Sequence, residues 1–205
     1  MFYEPSSGHD LPNNPLNALV VPRPIGWIST LGPDGTPNLA PYSFFNAVAY
    51  DPPQVMFAAT SGHRSGGPKD SVMNARKSGE FVVNMATFAL REQMNASATP
   101  APREVDEFEH VGLTTAPSAI VSTPRVAESP AHLECRTNQV INLPSDDPDD
   151  GNTLVLGEVV GVHIDDRFIV DGKVDLMTIG PIGRLGYLDY VEVNNRPAIE
   201  RPTWP

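Results

Sequence analysis

From Pro22 to Phe57 the apolar positions fall in short runs broken by turn residues, a pattern that predicts strands. Ile25 to Leu31 reads as one strand, on which Trp27, Ser29 and Leu31 share one face and Ile28 and Thr30 the other. Gly32-Pro33-Asp34-Gly35 has turn chemistry, with proline presetting φ and Gly35 free to take a positive φ, so Pro37 to Tyr42 is expected back as the partner strand. Asp51-Pro52-Pro53 then interrupts the chain before a third strand, Gln54 to Thr60. Past a Gly-rich loop, Ser61 to Pro68, the run Asp70 to Ser78 predicts a short helix. Asp70 or Ser71 is suited to cap its start, Gly79 suits the position after its end, and Arg76 and Lys77 favour its last turn.

Glu80 to Ala86 predicts another strand, Thr87 to Asn95 and Val105 to Val111 predict helices, and Ser97 to Arg103 is a Pro-rich loop between them. Ala131 to Leu143 and Thr153 to Ile164 read as long strands joined by an acidic turn from Asp146 to Asn152, and Asp171-Gly172 marks a further hairpin. Hairpin turns outnumber helical crossovers, which disfavours a parallel βαβ architecture. The expected fold is mainly β, a single antiparallel β-barrel with peripheral helices over residues 1–205, with an irregular N-terminal arm and a polar C-terminal tail.

The 22 prolines and 16 glycines punctuate the chain without making it low-complexity. A formal net charge of -11 disfavours nucleic acid and anionic membranes as partners, and requires any phosphate site to gather positive charge locally. The single Cys135 excludes an internal disulfide and agrees with a cytoplasmic location; it reads as a buried small hydrophobe. The first residues lack the basic and apolar regions of a signal peptide, and no apolar run approaches membrane-spanning length.

Two segments carry candidate chemistry. A helix opening at Lys69-Asp70-Ser71 offers free N–H groups, a lysine charge and a hydroxyl to a phosphate, with Arg64 as a second cation nearby. Asp70 looks misplaced beside an anion and reads as a cap or as the partner that orients Lys69. The hairpin adds Ser29 and Thr30, which point opposite ways, so that one of them must reach a shared ligand through its backbone. Across the turn, Ala40 and Pro41 permit close approach of a flat ring, and Ser43, Phe45 and Asn46 offer a hydroxyl, an aromatic wall and an amide. Taken singly, Trp27, Tyr42, Phe44 and Phe45 read as core residues rather than ligand contacts.

The segments PRPIGWIST, NLAPYSFFN, DPP, KDS, GEFVVN and GRLG occur in an order that resembles the flavin reductase-like family with an FMN-binding split barrel, and EFEHVGL and ESPAHLEC extend the likeness over most of the chain. The resemblance implies a homodimer of Greek-key barrels holding FMN non-covalently near the subunit interface, with FAD as an alternative. It implies contacts from Trp27, Ser29, Thr30, Ala40, Pro41, Tyr42, Ser43, Phe45 and Asn46, and a phosphate site at Lys69, Asp70 and Ser71. Ser71 stands where the family often has threonine. Tyr187 stands where it often has a second glycine, and either narrows access to the cofactor or occupies a dimer contact.

The implied activity is an oxidoreductase passing hydride from NADH or NADPH to flavin N5, and electrons onward to free flavin, oxygen, a partner oxygenase or another acceptor, with no protein acid or base required. A flavin-binding electron carrier or store without its own turnover is the alternative, and a direct oxidase of a small organic substrate a weaker one. There is no dinucleotide-binding glycine motif and no Walker A sequence, and the five histidines form no close-spaced ligand pair. The acidic loop Asp146 to Gly151 departs from a calcium loop at Pro148 and Gly157 and reads as a solvated turn, and Ser122, Ser129 and Ser145 lack a His–acid framework.

Overall fold

A computed structural model describes residues 1–146 and 151–204; most of the predicted acidic turn lies outside the described residues. The arm carries a one-turn helix α1 (Leu16–Leu19) and a short strand β1 (Arg23–Pro24). The expected hairpin forms as β2 (Gly26–Leu31) and β3 (Pro37–Tyr42), with Gly35 at φ 87° in the turn. A second hairpin, β4 (Phe45–Tyr50) and β5 (Pro53–Ala59), precedes helix α2 (Asp70–Ser78) and β6 (Glu80–Met85). The excursion that follows holds α3 (Arg91–Ala96), α4 (Glu107–His110) and a ribbon of β7 (Thr115–Ala116) with β8 (Arg125–Val126). The long hairpin β9 (Ala131–Leu143) and β10 (Asn152–Ile164) comes next. Then follow β11 (Ile169–Val170), β12 (Lys173–Val174), α5 (Leu176–Ile179), β13 (Ile182–Arg184) and β14 (Tyr190–Glu192). No helix among the described residues is long and apolar enough to cross a membrane.

Seven strands form one antiparallel sheet in the order β3-β2-β6-β9-β10-β5-β4. β3 and β4 lie at its opposite edges, yet only Ser43 and Phe44 separate them in sequence. The three Cα steps from Tyr42 to Phe45 span at most about 11 Å, so the sheet has to roll until its edges come close. Tyr42 on β3 then stacks on Phe57 of β5 with ring centroids 4.9 Å apart. The barrel interior is filled by Ile28, Val55, Phe57, Phe81, Val83, Cys135 and Val155, and Val72 and Ala75 of α2 pack onto the same core. A Cβ at Gly26 would run into the Phe45 ring, and one at Gly157 into the Phe81 ring, so both glycines make room for aromatic side chains in the barrel.

β2 obeys the predicted division of faces. Ile28 points into the barrel, while Trp27 joins Leu39, Met94, Phe108 and Val126 in a second core beneath the 86–126 excursion. Both faces are therefore covered, which is why the whole strand from Gly26 to Thr30 is buried.

The structure corrects several expectations. β4 was hidden in the sequence because a bulge between Ala47 and Ala49 breaks its two-residue period, and because Val48 and Tyr50 put apolar groups on the exposed side. The helix expected over 87–95 forms as a 3-10 turn, Phe88–Leu90, leading into α3 from Arg91, while Thr87 bridges Pro181 and the Phe88 N–H binds the Gly180 carbonyl. The helix expected over 105–111 is the single turn α4, capped by Asp106, whose carboxylate accepts the Phe108 and Glu109 N–H groups. Neither Asp70 nor Ser71 caps α2: Lys69 occupies that position, without a side-chain cap bond.

Candidate functional site

The start of α2 and the edge of β3 meet in an open cleft. One wall is Asn38 and Ala40 to Tyr42, the other is Ser97 to Ala101, and Lys69, Asp70 and Ser71 close one end. The first backbone bond of α2 runs from the Met73 N–H to the Lys69 carbonyl, 3.0 Å, so the N–H groups of Asp70, Ser71 and Val72 have no acceptor within the helix. They carry the positive end of the helix dipole, and Lys69 has no carboxylate partner among the described residues.

Asp70 is accounted for by its neighbours. Arg103 donates to its Oδ1 and also to the carbonyls of Gly66 (2.8 Å) and Pro68 (3.2 Å), so one guanidinium neutralises the carboxylate and pins the Gly-rich loop. His63 lies 3.5 Å from Asp70 Oδ2. Its Nδ1 accepts the Ser65 N–H, which places the proton on Nε2, facing the Ala101 carbonyl at 3.1 Å. Arg64, expected as a second cation, instead donates to the Pro100 carbonyl at 2.9 Å and ties the two loops together.

The edge of β3 is equally specific. Pairing with β2 directs the N–H and C=O groups of Asn38, Ala40 and Tyr42 inward, and those of residues 37, 39 and 41 outward. Pro37 and Pro41 have no N–H, and the Leu39 N–H donates to Glu107 Oε2 at 3.1 Å. The strand thus offers only carbonyl acceptors along its open edge. Glu107 also accepts from Asn38 Nδ2, 3.1 Å to each oxygen, while Asn38 Oδ1 receives Ser71 Oγ at 2.9 Å and Thr30 Oγ1 at 3.1 Å. Burial pushes the Glu107 carboxyl up to about 7, and the charge of Asp70 adds to this against the hydrogen bonds from Leu39 and Asn38. Burial also pushes the Tyr42 phenol up to about 12, so it stays neutral.

Of the residues singled out in the sequence, Ala40, Pro41, Tyr42, Lys69, Asp70 and Ser71 come together in this cleft. Trp27 is wholly buried, with Nε1 donating to Ser97 Oγ at 2.9 Å. Ser29 is wholly buried, its hydroxyl donating to the Pro124 carbonyl at 2.7 Å and accepting from Asn84. The Thr30 hydroxyl is spent on Asn38 and Asn74. Those three side chains are closed to a ligand, and the Ser71 hydroxyl is committed to Asn38, leaving Ser71 its backbone N–H. Phe45 packs against the barrel core, Asn46 stands exposed with Oδ1 accepting the Ala47 N–H, and Ser43 receives Arg23 Nε at 3.4 Å; none of them lines the cleft.

Sequence reading missed Asn38, His63, Arg103 and Glu107. Glu107 sits 69 residues from Asn38, so no local pattern joins them. It also missed Arg23, a buried guanidinium that donates to the carbonyls of Asn17, Val20 and Leu185 and so knits the arm to the segment before Tyr187.

The donor set fits a phosphorylated flat ligand: a lysine and the first-turn N–H groups of α2 at one end, an acceptor edge alongside. An antiparallel barrel split at one seam, with such a cleft beside the seam, defines the class. The description of the flavin reductase like domain matches residues 18–173, and the chain belongs to the flavin reductase-like family. A Deinococcus radiodurans protein is 42% identical over 180 residues, covering 83% of this chain and 75% of its own. Nitrilotriacetate monooxygenase component B from Bacillus cereus has the same fold at TM-score 0.88 and 28% identity, over 97% of this chain and 98% of that one. A Shewanella frigidimarina protein with a split barrel domain aligns at TM-score 0.78 and 23% identity, over 91% and 90% of the two chains.

Proposed function

We propose that this protein binds FMN non-covalently in the cleft at α2 and β3 and acts as an NADH- or NADPH-dependent flavin reductase in the cytoplasm. The observation that carries the reading is the pairing, in one cleft, of a lysine with no carboxylate partner among the described residues and the first-turn N–H groups of α2 with an acceptor-only strand edge. When bound, the flavin supplies a ring that accepts a hydride and passes its electrons on. The chain's own residues bind and orient. Lys69 and the start of α2 hold the phosphate, and the carbonyls of Leu39 and Pro41 receive donors on the ring edge. Arg103 and His63 keep Asp70 from repelling the phosphate. FAD fits the same contacts through its proximal phosphate.

The protein works as a homodimer, consistent with the apolar Val48, Tyr50 and Val162 left exposed on β4 and β10. The component-B relative supports an oxygenase as the electron acceptor. The test is a visible spectrum of the purified protein, followed by anaerobic addition of NADH and then NADPH. Rapid bleaching of flavin bands establishes the reductase and names its donor. A yellow protein that neither donor reduces makes it a carrier, and failure to bind added FMN refutes the reading. Lys69→Ala is expected to weaken FMN about tenfold or more and leave riboflavin unchanged, as loss of a charged hydrogen bond to phosphate requires. Equal losses in titrations of the two ligands would remove Lys69 from the phosphate.

A further inference from the structure

Resting on that reading, the geometry points to Glu107 as a second determinant of ligand choice: we propose that the cleft takes up a phosphorylated flavin together with one proton, and that Glu107 carries it. The carboxyl lines the same cleft as Lys69 and the first turn of α2. It is linked to Ser71 through a single residue, since Asn38 donates to Glu107 and accepts from Ser71. A phosphate seated on the Ser71 N–H therefore comes close to Glu107, and Glu107 and Ser71 are both shielded from water.

The surrounding charges leave this meeting uncompensated. From α2 the cleft receives Asp70 and, at its cap, Lys69. From the loops it receives His63, and Arg103 backs Asp70 from outside the cleft; both are engaged by that carboxylate. From β3 it receives the neutral Tyr42 phenol, and on α4 itself Glu109 and His110 stand in solvent while Asp106 caps the helix. Lys69 is thus the one cation among these described groups that is free to answer a phosphate, and a second anion beside it has no counter-charge of its own.

Protonation removes the conflict. Glu107 Oε2 takes both the Leu39 N–H and Asn38, whereas Oε1 takes Asn38 alone, so the proton belongs on Oε1. The upward displacement of this carboxyl to about 7 means that the proton is available near neutral pH. A phosphate dianion nearby raises it further, and proton uptake and phosphate binding then reinforce one another. Riboflavin lacks the phosphate and leaves Glu107 as it was.

The test is calorimetric titration of the flavin-free protein with FMN and with riboflavin at pH 7.5, in two buffers of different ionisation enthalpy. The free FMN phosphate, with a second pKa of about 6, is already a dianion there. Wild type is expected to take up about 0.5–1 proton per FMN and none per riboflavin, and its FMN affinity to fall by up to about tenfold per pH unit above pH 7. Glu107→Gln is expected to bind FMN with no uptake and a flat profile, with its riboflavin binding reporting that it is folded. Equal uptake with both ligands, no uptake by the wild type, or uptake that survives Glu107→Gln overturns the proposal while leaving the flavin site standing. A wild type that binds neither ligand overturns the flavin reading itself.

Discussion

Buried ionisable side chains pull the stability of this protein in opposite directions as pH changes. Glu107 is raised to about 7 by burial, so the folded state holds its proton more tightly than the unfolded chain does. Its contribution is a loss of stability as pH climbs from about 4.5 to about 7. His132 is pushed down to about 4, first by burial and then by Arg125 and His163 nearby, against the hydrogen bond to the Val126 carbonyl. The folded state binds fewer protons there, and stability rises from about pH 4 to about 6.5. Burial raises Glu134 too, but the N–H groups of Ala119, Val121 and Ile120 and the ring of His163 outweigh it and hold it at about 2, adding a rise at lower pH. In urea unfolding of the flavin-free protein, Glu107→Gln is expected to unmask the His132 rise between pH 4 and 6.5. It is also expected to leave the variant more stable than wild type at pH 8, by on the order of 2–3 kcal/mol. A variant less stable than wild type at pH 8 would show that the carboxylate is held by its bonds to Asn38 and Leu39 more firmly than burial opposes it.

At the scale of elements, the Gly-rich loop and the start of α2 depend on one side chain from a distant loop. Arg103 binds the Gly66 and Pro68 carbonyls and Asp70 together. Arg103→Ala is expected to speed amide exchange across residues 61–70 and to weaken FMN, with little change in the protection of β9 and β10. Uniform loss of protection would assign Arg103 to global stability instead. The range of α2, the hairpin of β2 and β3 and the whole of β9 were legible because period, turn chemistry and the C-terminal glycine agreed over those stretches. The cleft was half legible. Lys69 and the helix start announce themselves locally, but Arg103 and Glu107 lie in short, irregular segments whose role exists only through contacts tens of residues away. That the side chains of Trp27, Ser29 and Thr30 are engaged inside the fold was not legible for a related reason: a strand covered on both faces looks the same in sequence as one whose polar face is open.

For the whole molecule, the two edges of the barrel differ in kind. The β3 edge is closed to strand addition by Pro37, Pro41 and Glu107, whereas β4 runs along the other edge with Val48 52% and Tyr50 96% exposed. A second copy of the chain is therefore expected to cover apolar surface near β4 and to leave the β3 edge to the ligand. If the cofactor lies near that interface, flavin content should fall in step with dimer dissociation when dilution is followed by sedimentation. A fully flavinated monomer would break the link.

The two-residue link at Ser43 and Phe44 has a consequence for how the chain is made. The hairpins on either side of it emerge from the ribosome together, yet they do not pair with each other in the sheet, where β6, β9 and β10 lie between β2 and β5. Until residue 164 has been synthesised, the strand that bridges them does not exist, and half of the ring waits with its β5 edge bare. Completion is then late and long-range, and it falls to the last long hairpin to convert two local structures into one closed wall.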